Sequence, residues 1–300
     1  MAHTHEVQRS ASGRHRKKLA LVLTITFVYL AVEVIGGLVT GSLALLADAG
    51  HMLTDAGGLL LALLAIRYGE RPPIPQRTFG YYRAEILAAL ANAVVLIGIS
   101  AYILYEAYRR FQDPPEVQSR EMMWVAVVGL LVNLAGMYIL RKDSGTSLNM
   151  KGAYFEVLSD MLTSIAVIAG GVIMLYTKWY YIDPILSAGI GLFILPRTWG
   201  LLKESVGVLL EGAPKDLDVG LIRDELLQIR DVTGVHDLHI WTITSGMAVL
   251  TVHLVYRAEA DAMMVLKQAQ ELLEEKYKIT HTTIQTEREG SVLHEEGLHE

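Results

Sequence analysis

The 300-residue chain is 52% hydrophobic and 19% charged, with a formal net charge of −6 and no cysteine. Charge below the ~25% usual for soluble domains, together with the apolar excess, excludes a disordered chain; the acidic balance excludes a basic nucleic-acid-binding domain. With no thiols there is no disulfide framework, and any metal site must draw on imidazole nitrogen and carboxylate oxygen.

The apolar residues are concentrated before residue 210. Six stretches, roughly 19–40, 43–66, 84–106, 122–140, 152–176 and 183–209, each approach or exceed the ~20 residues a helix needs to cross a bilayer. Turn residues separate them: Thr40-Gly41-Ser42, Pro72-Pro73-Ile74-Pro75, Asp113-Pro114-Pro115 and Asp183-Pro184. Pro196 predicts a kink or an early end in the sixth. The first stretch continues through Glu33 and Gly36-Gly37 into a second span, so it reads as a membrane helix rather than a cleaved signal.

An N-terminus inside places Arg14, Arg16, Lys17 and Lys18 in the cytoplasm, with Arg67, Arg71, Arg77, Arg83, Arg141, Lys142 and Lys151 of the loops. The other side receives Arg109, Arg110, Arg120 and Lys178. The positive-inside rule therefore puts both termini in the cytoplasm. Short loops and the lack of a cleaved signal fit a bacterial or archaeal inner membrane.

After Gly212-Ala213-Pro214 the composition becomes that of a soluble domain. Leu217, Leu221, Ile222, Leu226, Leu227 and Ile229 predict a helix over 216–230, capped by Asp216 or Asp218. Two β-like runs follow, 236–244 and 247–255, joined at Ser245-Gly246; 260–276 is helical and 279–287 alternates as a strand. The order αββαβ predicts a small two-layer α+β domain of ferredoxin-like type. The expected organisation is a cytoplasmic segment 1–18, a six-span α-helical membrane domain 19–210, a cytoplasmic domain 211–288 and an acidic tail 289–300.

Ionisable groups inside apolar spans carry the chemistry, because a bilayer makes them costly unless paired, hydrated or metal-bound. The second span holds Asp48, His51 and Asp55, and the fifth holds Glu156 and Asp160. His51 with Asp55, and Glu156 with Asp160, are i,i+4 pairs, so each pair projects from one helix face. Two such helices can converge one imidazole and three carboxylates, a donor set suited to a tetrahedral divalent cation such as Zn²⁺. Three carboxylates without a nearby cation need protons or a metal to neutralise them. Glu33 and Asp48 also admit a structural role as helix–helix hydrogen-bond partners.

Five segments then carry a likeness: Gly41–Asp55 (GSLALLADAGHMLTD), Arg77–Leu87 (RTFGYYRAEIL), Asp183-Pro184, Gly234–Trp241 (GVHDLHIW) and Thr283–Glu287 (TIQTE). Together and in this order they resemble the cation diffusion facilitator family of zinc transporters, over residues about 15–288. The resemblance implies a homodimeric, six-span, proton-coupled exporter, not an enzyme, with a cytoplasmic ferredoxin-like domain. It assigns His51, Asp55, Glu156 and Asp160 to the transport site, with Asp48 as an additional candidate. It assigns His236, His253 and Glu287 to a cytoplasmic metal site. There His239 and His281 are further candidates, and Trp241 packs the sheet.

Three departures matter. Glu156 stands where the zinc-selective pattern has a second His, which hardens the site and opens it to Cd²⁺, Mn²⁺, Co²⁺ or Fe²⁺. Gln285 replaces a ligand of some relatives. The loop 67–83 has no His, Asp or Glu apart from Glu70, so the extra loop metal site of some relatives is not expected. His3, His5, His294 and His299 read either as loose metal-collecting groups or as solvated polar residues.

The expectation is therefore export of Zn²⁺, or another divalent cation, in exchange for protons, with Zn²⁺ also a regulatory ion in the cytoplasmic domain. The alternatives are an exporter selective for Mn²⁺, Co²⁺ or Fe²⁺ and a membrane-anchored metal sensor. An intramembrane metalloenzyme is disfavoured, since no span contains His-Glu-x-x-His.

Overall fold

The computed structural model describes residues 11–69, 71–141, 148–244 and 246–290. His3, His5, His294, His299, the acidic tail beyond Gly290, Lys142 and Ser245 lie outside them, as do the side chains of Arg14, Arg16, Lys17, Lys18 and Lys151. The chain divides into two compact units, Met1–Leu61 with Ala91–Leu201, and Ala62–Leu90 with Leu202–Glu300.

Six long helices come first: α1 Ala11–Thr40, α2 Leu43–Gly69, α3 Ala84–Gln112, α4 Ser119–Leu140, α5 Leu148–Thr177 and α6 Ile182–Leu209. Among the described residues, Ala84–Gln112, Ser119–Leu140, Val157–Thr177 and Ile182–Leu209 are long and apolar enough to cross a membrane; Thr24–Thr40 and Leu43–Leu53 form shorter apolar helices. The chain is a multi-pass membrane protein. α1 starts at Ala11, inside the stretch expected to be a polar arm, and α6 runs through Pro196 instead of ending there. Outward-facing Trp124, Tyr138 and Phe193 suit a hydrocarbon or interfacial surround.

Inside the first unit, small residues let helices approach. A Cβ at Gly129 would collide with the Tyr29 hydroxyl, and one at Gly36 would fall 2.7 Å from Val125 Cγ2, so α1 and α4 meet through glycine. Lacking a hydrophobic drive between helices in lipid, such close packing supplies much of the association.

The α1–α2 turn is held by a carboxylate from far along the chain. Asp183, in the first turn of α6, accepts from the Ser42 hydroxyl (2.7 Å) and from the backbone N–H groups of Leu43 (2.8 Å) and Ala44 (3.2 Å). It thereby caps α2 from another helix, satisfying donors that a helix start leaves open and placing negative charge at the positive end of the dipole. Arg110, in the last turn of α3, donates to Asp183 (3.4 Å), to the Gly41 carbonyl (2.6 Å) and to Glu106 (3.1 Å). Asp183 is almost wholly buried, so this clasp fixes the start of the helix that carries His51.

In the second unit, α7 Val219–Leu227, β1 Val232–Thr244, β2 Met247–Tyr256, α8 Ala262–Glu275 and β3 His281–Arg288 follow in the expected αββαβ order. Asp218 caps α7 by accepting from Leu221 N–H, and Asp261 caps α8 by accepting from Met263 N–H. The sheet order is β1-β2-β3, with β1 and β2 antiparallel and β2 and β3 parallel through the α8 crossover. Leu250, Val252 and Leu254 alternate along β2 and bury against Ile222 and Leu226 of α7 and Leu273 of α8. The interleaved residues, His253 among them, therefore lie on the opposite face, away from this core.

Candidate metal centres

α2 and α5 bring His51 and Asp160 together. His51 Nε2 stands 3.9 Å from Asp160 Oδ1, and both residues are buried. Ligand atoms around a tetrahedral zinc are about 3.3 Å apart, from Zn–N and Zn–O lengths near ~2 Å, so the pair is close to a coordinating spacing. Asp55 lies on α2 one turn beyond His51, and Glu156 on α5 one turn before Asp160; their side chains lie outside the described residues.

Asp48 sits elsewhere in this polar interior. It is buried and interacts with Glu33 of α1, itself fully buried and accepting a 3.0 Å hydrogen bond from the Tyr29 hydroxyl. That places Asp48 in a helix–helix contact, the structural role open to it in the sequence.

The second cluster lies on the open face of the sheet. His236 and His253 are direct cross-strand partners on β1 and β2, their rings 5.0 Å apart edge to face. Buried Glu287 of β3 reaches both imidazoles: Oε2 is 3.1 Å from His236 Nε2 and Oε1 is 3.0 Å from His253 Nδ1. Gln285 Nε2 donates to Glu287 Oε1 (3.0 Å) and so orients the carboxylate instead of joining the cluster as an imidazole would.

A fourth group was not foreseen. Register slips between His236 and His239, and in this bulge Asp237 adopts a positive φ of 48°. Its carboxylate stands 3.1 Å from His236 Nδ1 and 3.7 Å from His253 Nδ1. The hydrogen bond from His236 holds the Asp237 carboxyl below its usual range, helped by the fields of His253 and His239. Single ligand atoms of His236, Asp237 and His253 all lie within 4.8 Å of one another.

These donors fit a divalent cation. His253 Nδ1 is buried without a hydrogen bond of good direction, although Glu287 lies close by. Two imidazoles with two carboxylates also match the nitrogen and oxygen chemistry of a zinc site. His236 faces Glu287 with one ring nitrogen and Asp237 with the other. One nitrogen can therefore ligate while a carboxylate orients its opposite, as in carboxylate–histidine–metal arrangements.

The family model for the cation efflux transmembrane domain matches residues 19–210, and that for the cytoplasmic domain of cation efflux proteins matches 214–289. The chain belongs to the cation efflux family. Members of this family are transporters rather than enzymes, and they are the cation diffusion facilitators that its motifs resemble. The metal cation efflux system protein CzcD of Cupriavidus metallidurans is 49% identical over 276 residues, 92% of this chain and 87% of that protein. The zinc transporter ZitB of Pectobacterium atrosepticum is 43% identical over 289 residues, 96% of this chain and 89% of its own. A cadmium, cobalt and zinc/H(+)-K(+) antiporter of Bacillus velezensis is 39% identical over 292 residues, 96% and 92% of the two chains.

Within this cation efflux chain the remaining candidate histidines, His239 and His281, take other positions in the strand register. His239 pairs with Thr251 rather than His253, is exposed, and lines a groove of about 480 Å³ with Glu211, Val219 and Trp241. His281 pairs with Val249, two residues further along β2, and meets the Phe79 ring edge to face at 5.5 Å.

Proposed function

We propose that this protein exports divalent metal ions, Zn²⁺ foremost, from the cytoplasm in exchange for protons by alternating access. The observation that carries the reading is the convergence of His51 from α2 and Asp160 from α5, both buried. Asp55 and Glu156 complete the set of one imidazole and three carboxylates. The reading takes six spans over 19–210, a ferredoxin-like domain over 211–288, flanking segments 1–18 and 289–300 in the cytoplasm, a homodimer and an inner-membrane location. The names of the relatives, a metal cation efflux protein, a zinc transporter and an antiporter, support it.

The chemistry follows from competition for the same lone pairs. Coordinating groups must be deprotonated, so a site of this composition binds protons or a divalent cation, but not both fully. Facing near-neutral cytoplasm it loads metal; facing a more acidic exterior it takes up protons and releases the metal. His51 supplies the one imidazole of the set, the side-chain type that most readily exchanges a proton near neutral pH. Glu156 favours a second reading of the cargo, since a third carboxylate suits Mn²⁺, Co²⁺ or Fe²⁺ better than a second imidazole would. Export from loaded proteoliposomes, measured for each metal at two external pH values, decides between them. Zinc export that quickens with an inward proton gradient is expected. Transport indifferent to pH would overturn the exchange, and a preference for Mn²⁺ over Zn²⁺ would overturn the cargo.

His236, His253 and Glu287, with Asp237 added, form the regulatory metal site of this reading. Zn²⁺ held there replaces repulsion between two carboxylates by coordination and stabilises one arrangement of paired cytoplasmic domains. Spin labels on α8 of the two protomers should report a narrower distance distribution with zinc than without, and His253→Ala should remove the difference. Identical distributions in the wild type would count against regulation at this site.

A further inference from the structure

The metal chemistry leaves one strongly charged feature unused. The connection from α2 to α3 carries Arg67, Arg71, Arg77 and Arg83 against the single acid Glu70. Arg83 is answered by Glu211 at 3.0 Å. Arg67, Arg71 and Arg77 are exposed, with no carboxylate partner among the described residues.

This connection is ordered by its own contacts. Arg77 N–H donates to the Ile74 carbonyl (2.8 Å) and Gly80 N–H to the Arg77 carbonyl (2.9 Å), with Gly80 at a φ of 69° that favours glycine. The Arg71 guanidinium lies 4.2 Å from the centre of the Tyr68 ring, Tyr68 meets Tyr81 edge to face at 4.8 Å, and the Arg77 guanidinium lies 4.9 Å from the Tyr81 ring. Two cations are thus held along one aromatic ladder, which reduces the side-chain entropy a ligand would have to remove. Arginine so presented offers a planar fork for phosphate oxygens.

Position selects the source of the phosphate. The connection ends at Ala84, where the apolar helix α3 begins. Ile74 stands exposed between Arg71 and Arg77, and Tyr82 between Arg77 and that helix start, so the segment pairs cations with apolar and amphipathic groups, as membrane-surface segments do. A soluble phosphate would use the cations alone. We infer that residues 67–83 form a binding site for anionic phospholipid headgroups, in which Arg71 and Arg77 take the phosphates while Ile74 and Tyr82 enter the interfacial layer.

The test is native mass spectrometry of the full chain in detergent, titrated with phosphatidylglycerol or phosphatidylcholine. Phosphatidylglycerol should be retained in preference. At about fivefold per arginine near a membrane surface, the double variant R71Q/R77Q should lose the preference by about 30-fold, whereas Arg109→Gln at the other end of α3 should keep it. In the wild type the preference should also shrink as salt is raised, a result that depends on no variant folding. An undiminished preference in folded R71Q/R77Q, a preference that salt leaves unchanged, or displacement of the lipid by millimolar inorganic phosphate would each overturn the assignment.

Discussion

Alanine in place of Asp160 is expected to abolish metal-driven proton flux in proteoliposomes, and Asp55→Ala to do the same. Asp160 is buried on α5 with its carboxylate facing His51 of α2. The pair joins two helices, so neither helix alone can rebuild the site. Loss of a supporting, non-ligating partner already costs a metal site about 10–100-fold in affinity, and loss of a ligand should exceed that. In the proposed exchange a carboxylate would also carry coupling, because its proton is what the metal would displace. Asp160→Asn separates the two contributions. It keeps the volume and one oxygen but cannot exchange a proton, so any residual metal movement in it should depend less steeply on pH than in the wild type. Elution of each variant as the wild-type oligomer shows that the fold survived. Undiminished flux in both alanine variants would sink the site.

Much of this architecture is readable without coordinates because it rests on local rules. Apolar length marks the helices, and α7 and α8 follow from periodicity and from the aspartates that cap them. The i,i+4 pairs on the second and fifth stretches name His51 and Asp160 before any contact between them is seen. What escapes the sequence depends on pairing between distant segments. The first β-like run is expected over 236–244, yet β1 extends back to Val232 because Val232 and Gly234 pair with Tyr256 and Val255. Asp237 carries no signal of its own in the sequence, and only the bulge set by the register with β2 turns its carboxylate toward both imidazoles. His239 and His281 sit on the right strands, but register carries them past His253, to Thr251 and Val249. Composition can place a histidine on a sheet; it takes cross-strand register to say which histidines meet.

Asp183 shows the same limit, because Asp183-Pro184 reads as turn chemistry while its partners lie some 140 residues earlier. Asp183→Ala is expected to be among the most destabilising single changes in the membrane domain. It removes the cap of α2, about 1 kcal/mol by itself, and leaves the Ser42 hydroxyl and two backbone N–H groups buried without their acceptor, at about 1–3 kcal/mol for each orphaned group. Arg110 loses one carboxylate but keeps Glu106 at 3.1 Å and the Gly41 carbonyl at 2.6 Å, so its charge is not stranded. The cap and the orphaned donors are the same groups counted two ways, so the contributions do not add in full, and the expected loss is about 3–5 kcal/mol, the range for breaking a buried ion pair from one side. Arg110→Ala should cost less, since Asp183 would still accept from Ser42, Leu43 and Ala44. Asp183→Asn should fall between, because an amide oxygen can still serve one side while its NH₂ opposes a backbone donor on the other. Thermal unfolding in detergent gives the ranking, Asp183→Ala lowest in midpoint, then Asp183→Asn, then Arg110→Ala. If Arg110→Ala proved the worst, the clasp would depend on its cation instead of its cap, and the start of α2 would be held from α3 rather than from α6.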